Sequence, residues 1–153
     1  MDTEGRVINL SSAAQAPVNL KAFAGEVKLS HGAAYAQSKL ALTMWSRSLA
    51  QELGGAGPAV VAVNPASLLG SKMVKEAFGM AGGDLRIGAD ILVRAALSDE
   101  FATASGKYFD NDSGRFASPH ADALDAGKCE AVILVIEEIL TEITVRWSGC
   151  KQP

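Results

Sequence analysis

The sequence lacks most of the features that would place it in a familiar functional class. Its two cysteines, Cys129 and Cys150, have no second pair and no histidine at ligand spacing. Neither a disulfide framework nor a zinc site is indicated, and both read as reduced thiols. There is no cationic excess either: Lys and Arg total 14 against 17 acidic residues, for a net charge of −3, and the basic residues are scattered. Nucleic acid and anionic membrane surfaces therefore find no electrostatic footprint. The longest apolar run, Ala131 to Ile136, is far too short to span a bilayer. Met1-Asp2-Thr3-Glu4 is acidic where a signal peptide is basic and then apolar, so a cytoplasmic protein with no membrane partner is expected. Asp110-Asn111-Asp112-Ser113-Gly114 resembles the start of a calcium loop but has Gly114 where an acceptor is needed and Ala121 where a glutamate is needed. It reads as a plain loop, and no metal site is expected. No internal repeat is visible.

What is present is enough for one globular domain with a real core: 153 residues, 48% of them hydrophobic. Val7 to Leu10 is β-prone and ends at Ser11-Ser12. Ala13 to Gly32 has no clear periodicity and reads as a long loop with one helical turn near Leu20 to Phe23. Ala33 to Leu53 reads as a long helix with two apolar stripes, Ala36, Leu40, Met44 and Leu42, Trp45, Leu49, Leu53, stopped by Gly54 to Pro58. Ala59 to Val63 is the continuous apolar run of a parallel strand covered on both faces, ending at Asn64-Pro65. Ser71 caps a short helix, Lys72 to Phe78, in a segment resembling a mobile flap, which Gly79, Gly82 and Gly83 terminate. Asp84 precedes an amphipathic helix whose apolar face is expected from Ile87, Ile91, Val93 and Leu97. Gly106 to Phe109 is a third short strand, and 121–147 is a helical C-terminal segment. The order is that of an α/β protein with a parallel sheet and right-handed crossovers.

In such sheets ligands sit at the carboxyl ends of the strands. Three separated segments point at that edge: Ser12 after the first strand, Tyr35 at the start of the long helix, and Asn64-Pro65 after the second strand. Tyr35 and Lys39 lie one helical turn apart on one face. A phenol ordinarily ionises at about 10, and a neighbouring cation is a direct means of making it a usable base. A Tyr-x-x-x-Lys pair alone is a common surface arrangement. A serine hydroxyl beside the pair makes it equipment for moving a proton to or from an alcohol or carbonyl oxygen. His31 and His120 read as loop residues, and Trp45 and Trp147 as packing residues.

As a set, these residues resemble the short-chain dehydrogenases/reductases. Arg6 to Ser12 is similar to that family's strand bearing the catalytic serine, Tyr35-Ala36-Gln37-Ser38-Lys39 to its tyrosine–lysine motif, and Val63-Asn64-Pro65 to its turn after the next strand. The long insertion before Tyr35, closing on Ser30-His31-Gly32-Ala33-Ala34, resembles the retinol-dehydrogenase-type branch. The resemblance implies a Rossmann-like fold, an NAD or NADP cofactor, and a small-molecule alcohol or carbonyl substrate. By it, Ser12 rather than Ser11 holds the substrate oxygen, Tyr35 is the general acid/base, and Lys39 binds the nicotinamide ribose. Pro65, Ala66, Leu68 and Ser71 would line the nicotinamide. Ala66 stands where the family commonly has glycine and Gly70 where it commonly has threonine, a role Ser71 could take.

Nothing in the sequence resembles the family's glycine-rich dinucleotide loop or its ribose-binding acidic residue. The expectation is the C-terminal half of the fold, about three strands with crossover helices. The adenosine and pyrophosphate side, four strand–helix units or roughly 120 residues, is absent. Gly54 to Gly57 and Gly79 to Gly83 follow helices and read as stops, not phosphate cradles. Three readings follow, an oxidoreductase half that needs a complementary N-terminal half, a truncated, non-catalytic assembly or binding module, and a truncated gene product with no function of its own. In each case, association as a homo-oligomer or with that half is expected through the first strand's edge and the helix carrying Tyr35.

Overall fold

The computed structural model describes residues 5–149. A four-stranded sheet in the order β1-β2-β3-β4 is formed by β1 (Arg6–Leu10), β2 (Ala59–Asn64), β3 (Tyr108–Asp110) and β4 (Arg115–Ala117). The first three strands run parallel, with Ile8 opposite Val61 and Val63 opposite Phe109, and β4 returns antiparallel to β3. Every residue of β2 from Val60 on is buried, as an interior parallel strand requires. β4 was not expected; at three residues it is too short to register as a periodic pattern. The Asp110–Gly114 segment before it is the hairpin turn, with Gly114 at φ +67°.

The helices are α1 (Leu20–Phe23), α2 (His31–Leu53), α3 (Lys72–Phe78), α4 (Leu85–Leu97) and α5 (Ala126–Gly149). α2 starts before the expected Ala33 because the Ser30 hydroxyl accepts from Ala33 N–H as N-cap, and it stops at Gly54, whose φ of +53° suits glycine. One sheet face packs on α4 through Val61, Val63, Ile91, Ala95 and the Phe101–Phe109–Phe116 triad, whose ring centroids lie 5.1 Å apart. α2 covers the other face. Its outer side buries Leu40, Ala41 and Met44 against Cys129 and Val132 of α5. Cys150 lies outside the described residues.

The buried face of α4 differs from the expected one. Gly88, Ile91 and Ala95 are buried, whereas Ile87, Val93 and Leu97 are 50%, 59% and 76% exposed. Gly88 sits against the loop after β2, where a Cβ would lie 2.5 Å from Leu69 Cδ1, the far end of a flexible side chain, and 3.6 Å from Pro65 Cβ. Similarly, α5 packs through its first half only, leaving Leu140, Ile143 and Trp147 exposed.

Two sets of contacts hold the loop between β2 and α3. At its far end the backbones of Leu68–Gly70 and Gly82–Gly83 are zipped by Gly70 N–H to Gly83 O (2.7 Å) and Gly83 N–H to Leu68 O (2.8 Å). A Cβ on Gly82 would stand 2.6 Å from Gly70 Cα, and one on Gly70 would stand 2.8 Å from Ala81 O and Gly83 O. These glycines are therefore more than helix stops. They let two backbones touch, and they exclude a threonine at position 70 in this arrangement. The segment expected to be a mobile flap is thus clamped at its base.

At the near end, the β3–β4 turn is tied to the loop. Asn64 Nδ2 donates to Asp110 Oδ1 and Asp112 Oδ2, both at 2.8 Å, Asn111 Nδ2 donates to Pro65 O (2.8 Å), and Asp112 accepts from Ser67 N–H (2.7 Å) and the Ser67 hydroxyl (2.5 Å). Burial pushes the carboxyls of Asp110 and Asp112 up, and the hydrogen bonds they accept outweigh it, so both end below the usual carboxylate range.

Two predictions follow from this loop. Ala66 has φ +142°, a conformation that side-chain-bearing residues rarely adopt. Ala66→Gly should therefore stabilise the chain by about 1 kcal/mol, the relief of strain less the added freedom of the unfolded chain. An unchanged or lower urea midpoint would show that Ala66 is not strained. Because the native values of Asp110 and Asp112 are depressed, their contribution is full at neutral pH, declines as pH falls through about 3.9, and is gone below the native values. Denaturation midpoints between pH 6 and 3 (roughly the carboxylate range) should fall, and Asp112→Asn should make that fall shallower.

Candidate active site

The end of β1, the start of α2 and the end of β2 meet at one edge of the sheet. Two polar rungs set the rotation of α2 on β1. Asn9 Nδ2 donates to the Ser46 hydroxyl (2.8 Å), and the Ser11 and Thr43 hydroxyls lie 2.7 Å apart. Ser11, Thr43 and Ser46 are all buried. With α2 fixed in this way, Lys39 Nζ donates to Leu10 O at 2.8 Å, at the last residue of β1. Its ammonium stands 5.5 Å from the centroid of the Tyr35 ring, within cation–π range.

The paired serines are sorted by the same rungs. Ser11 is 3% exposed and its hydroxyl is taken up by Thr43 and by Lys39 O (3.3 Å). Ser12 is half-buried; among the described residues its hydroxyl accepts only from Ala14 N–H (3.1 Å), so its own proton remains free to donate. Its carbonyl accepts from Gln15 Nε2 (2.8 Å) and the Tyr108 hydroxyl (3.2 Å).

The chain has two tyrosines, and their surroundings separate their roles. Tyr108 is 6% exposed, bonded to Ser12 O, and pushed up to about 12, first by burial and then by the charges of Asp110 and Asp112. It stays protonated and acts as a post under the Ser12 peptide. Tyr35 is half-buried, and its hydroxyl has no hydrogen-bond partner among the described residues. A substrate oxygen can therefore reach it.

The other expected residues sit along the loop after β2. Pro65 and Ala66 are half-buried, Leu68 is 46% exposed with φ +51°, and the Ser71 hydroxyl is occupied as the cap of α3, accepting from Val74 N–H at 3.3 Å. His31 opens α2 at the surface, and His120 caps the 3-10 turn at Ala121–Leu124 through Nδ1. Among the described residues no cluster of His, Cys, Asp and Glu has metal-holding geometry. A recess of about 290 Å³ lies elsewhere, between α2 and α5 beside Arg47, Gln51 and Cys129. Its one titratable thiol, Cys129, is pushed up by burial, and the proton-moving groups lie at the other end of α2. The Thr43 and Ser46 rungs and the Asp112–Ser67 tie were not anticipated. Thr and Ser on a helix read as its wet side, and the Asp-Asn-Asp run signals a turn without naming what it holds.

A model of the short chain dehydrogenase family matches residues 1–82. Retinol dehydrogenase 12 of Homo sapiens and that of Bos taurus are each 32% identical over 127 residues, covering 76% of this chain and 40% of the relative. Retinol dehydrogenase 13 of Homo sapiens is 28% identical over 141 residues with the same coverage. The chain thus spans 40% of the length of these curated relatives. A crystal structure of an uncharacterized protein from Mycobacterium paratuberculosis superposes with a TM-score of 0.64 at 25% identity, over 87% of this chain and 49% of that one. With the fold, the tyrosine–lysine pair and a family model that covers more than half of its length, the chain belongs to the short-chain dehydrogenase family.

Proposed function

We propose that this chain is the catalytic half of an NAD- or NADP-dependent oxidoreductase that interconverts an alcohol and a carbonyl. The observation that carries the reading is the pairing of Lys39 with an unpartnered Tyr35 hydroxyl at the carboxyl edge of the sheet. Tyr35 gives its proton to a carbonyl oxygen, or takes one from an alcohol. Ser12 donates a hydrogen bond to the same oxygen, and the Lys39 ammonium stabilises negative charge passing through the phenol oxygen. A bound nicotinamide supplies or accepts the hydride. The residues fit its ribose and ring side: Lys39 keeps two N–H groups beyond the one on Leu10 O, and Pro65, Ala66 and Leu68 follow β2 at the same carboxyl end of the sheet. The adenosine and pyrophosphate side finds no glycine-rich strand–turn–helix in this sequence. The relatives' names make a retinol-like apolar alcohol the first substrate to try.

The reading requires a complementary N-terminal half, and β1 has an edge for it. Among the described residues it pairs only with β2, and its residues are half-buried or exposed where those of β2 are mostly buried. Leu42, Trp45, Leu49 and Leu53 of α2 are likewise only half-buried. Open edges and uncovered apolar stripes recruit partners. The same observation favours the second reading, a non-catalytic assembly module.

In any form of the protein that turns over, Tyr35→Phe should cut the rate by about 10²–10⁴-fold with the fold intact, followed as reduced nicotinamide absorbance at saturating alcohol and cofactor. Retention of more than about a tenth of the rate would rule out the acid/base role. Lys39→Ala should weaken cofactor binding as well as the rate, and unchanged affinity would remove Lys39 from the ribose. The 153-residue chain alone should sediment as a dimer or larger at micromolar concentration, and NADH and NADPH should bind it no tighter than the nicotinamide nucleotide alone. A compact monomer, or saturable micromolar dinucleotide binding, would contradict these respective expectations.

A further inference from the structure

The loop from Pro65 to Leu68 carries two side-chain-bearing residues at positive φ, Ala66 at +142° and Leu68 at +51°. Such conformations cost about 1–3 kcal/mol each and persist only where the surroundings over-determine them. The residue between the two, Ser67, is held at both its N–H and its hydroxyl by one group, the Asp112 carboxylate, at 2.7 and 2.5 Å. The other ties grip the loop outside this pair of strained residues or at its end: Asn111 Nδ2 on Pro65 O, and Gly83 N–H on Leu68 O. Hydrogen bonds to a carboxylate are the stronger kind, and Asn64 Nδ2 anchors Asp112 Oδ2 from the end of β2 at 2.8 Å. Ser67 and Asp112 are both exposed. The arrangement lies outside both apolar cores. It does determine where the peptides flanking Ser67 point.

We propose that Asp112 is a positioning residue for the nicotinamide side of the cofactor site: through Ser67 it sets the backbone of Pro65–Leu68 in the form that receives the cofactor. The inference rests on the reading of this loop as cofactor-binding. It makes the β3–β4 turn, remote in sequence from both Tyr35 and Lys39, part of the site's geometry. Asp112 acts through Ser67, braced from β2 by Asn64 Nδ2, and its role is positioning rather than catalytic.

The test uses the 153-residue chain and reduced nicotinamide mononucleotide, which carries only the ring, ribose and phosphate. Binding is followed by nicotinamide fluorescence, and amide hydrogen exchange is read at Ser67 and Leu68. The unaltered chain should bind this probe weakly but saturably. Asp112→Asn, whose amide NH2 at the Oδ2 position faces the Asn64 Nδ2 donor and forces the Ser67 hydroxyl to turn from donor to acceptor, should weaken it about tenfold or more. Exchange at Ser67 and Leu68 should accelerate far more than at the amides of β2 and α2. Ser67→Ala, which removes only the hydroxyl donor, should shift both readouts in the same direction by a smaller step. Ser113→Ala, which touches Asp110 and not the loop, should shift neither. If the unaltered chain shows no saturable binding, the cofactor reading fails and the inference with it. If it binds and Asp112→Asn binds equally well, the inference alone fails. Weakened binding accompanied by a general loss of stability, with no selective change at Ser67 and Leu68, would also overturn it, because Asp112 would then be merely structural.

Discussion

The candidate site depends on how α2 is rotated about its axis where it lies on β1. Tyr35 and Lys39 point at the sheet edge only because Ser11–Thr43 and Asn9–Ser46 fix that rotation with buried hydroxyl and amide contacts. An apolar interface tolerates small rotations, since hydrophobic contact has no direction. A buried hydrogen bond does not, because a misaligned donor loses its partner and keeps its desolvation cost. The polar seam therefore works as a register device, and the apolar burial of Leu40, Ala41 and Met44 on the outer side supplies the adhesion. Lys39 extends the seam by one more rung, onto Leu10 O. A candidate catalytic group is thus held by the same line of contacts that orients its helix.

The loop after β2 is held differently. It has little buried apolar surface, and its shape comes from hydrogen bonds contributed by segments distant in sequence, the β3–β4 turn at one end and Gly82–Gly83 at the other. Backbone strain at Ala66 and Leu68 persists inside that frame. The two walls of the candidate site therefore rest on different physics: a packed helix on one side, and a strained, externally braced loop on the other.

Much of this was legible in the sequence. β2 declares itself as an unbroken apolar run, α2 by its length and its glycine stop, and α3 and α4 by the caps Ser71 and Asp84. The tyrosine–lysine pair could be placed because helical spacing alone decides which residues share a face. What stayed hidden had physical reasons. β4 exists only because β3 gives it a partner, and three residues carry no pattern. The buried face of α4 runs through Gly88, Ile91 and Ala95, two of them too small to register as an apolar stripe, while Ile87, Val93 and Leu97 face outward. Thr43 and Ser46 look like solvent-facing residues until Ser11 and Asn9 are known to lie beneath them. Ala66 is legible only by comparison, as an alanine where the resemblance expects glycine. The reason for that glycine, a backbone at φ +142°, is a property of the fold.

The direction of β4 has one further consequence. By turning back against β3 with three residues and an exposed Arg115, it finishes that side of the sheet with a short, charged border that offers an approaching strand little to pair with. The border at β1 is longer, uncharged from Val7 to Leu10, and parallel in sense to its neighbours. The sheet is therefore asymmetric in the way a crystal face can be, with one side that terminates growth and one that can continue it. Any strand that enlarges this sheet is directed to the border beside Lys39.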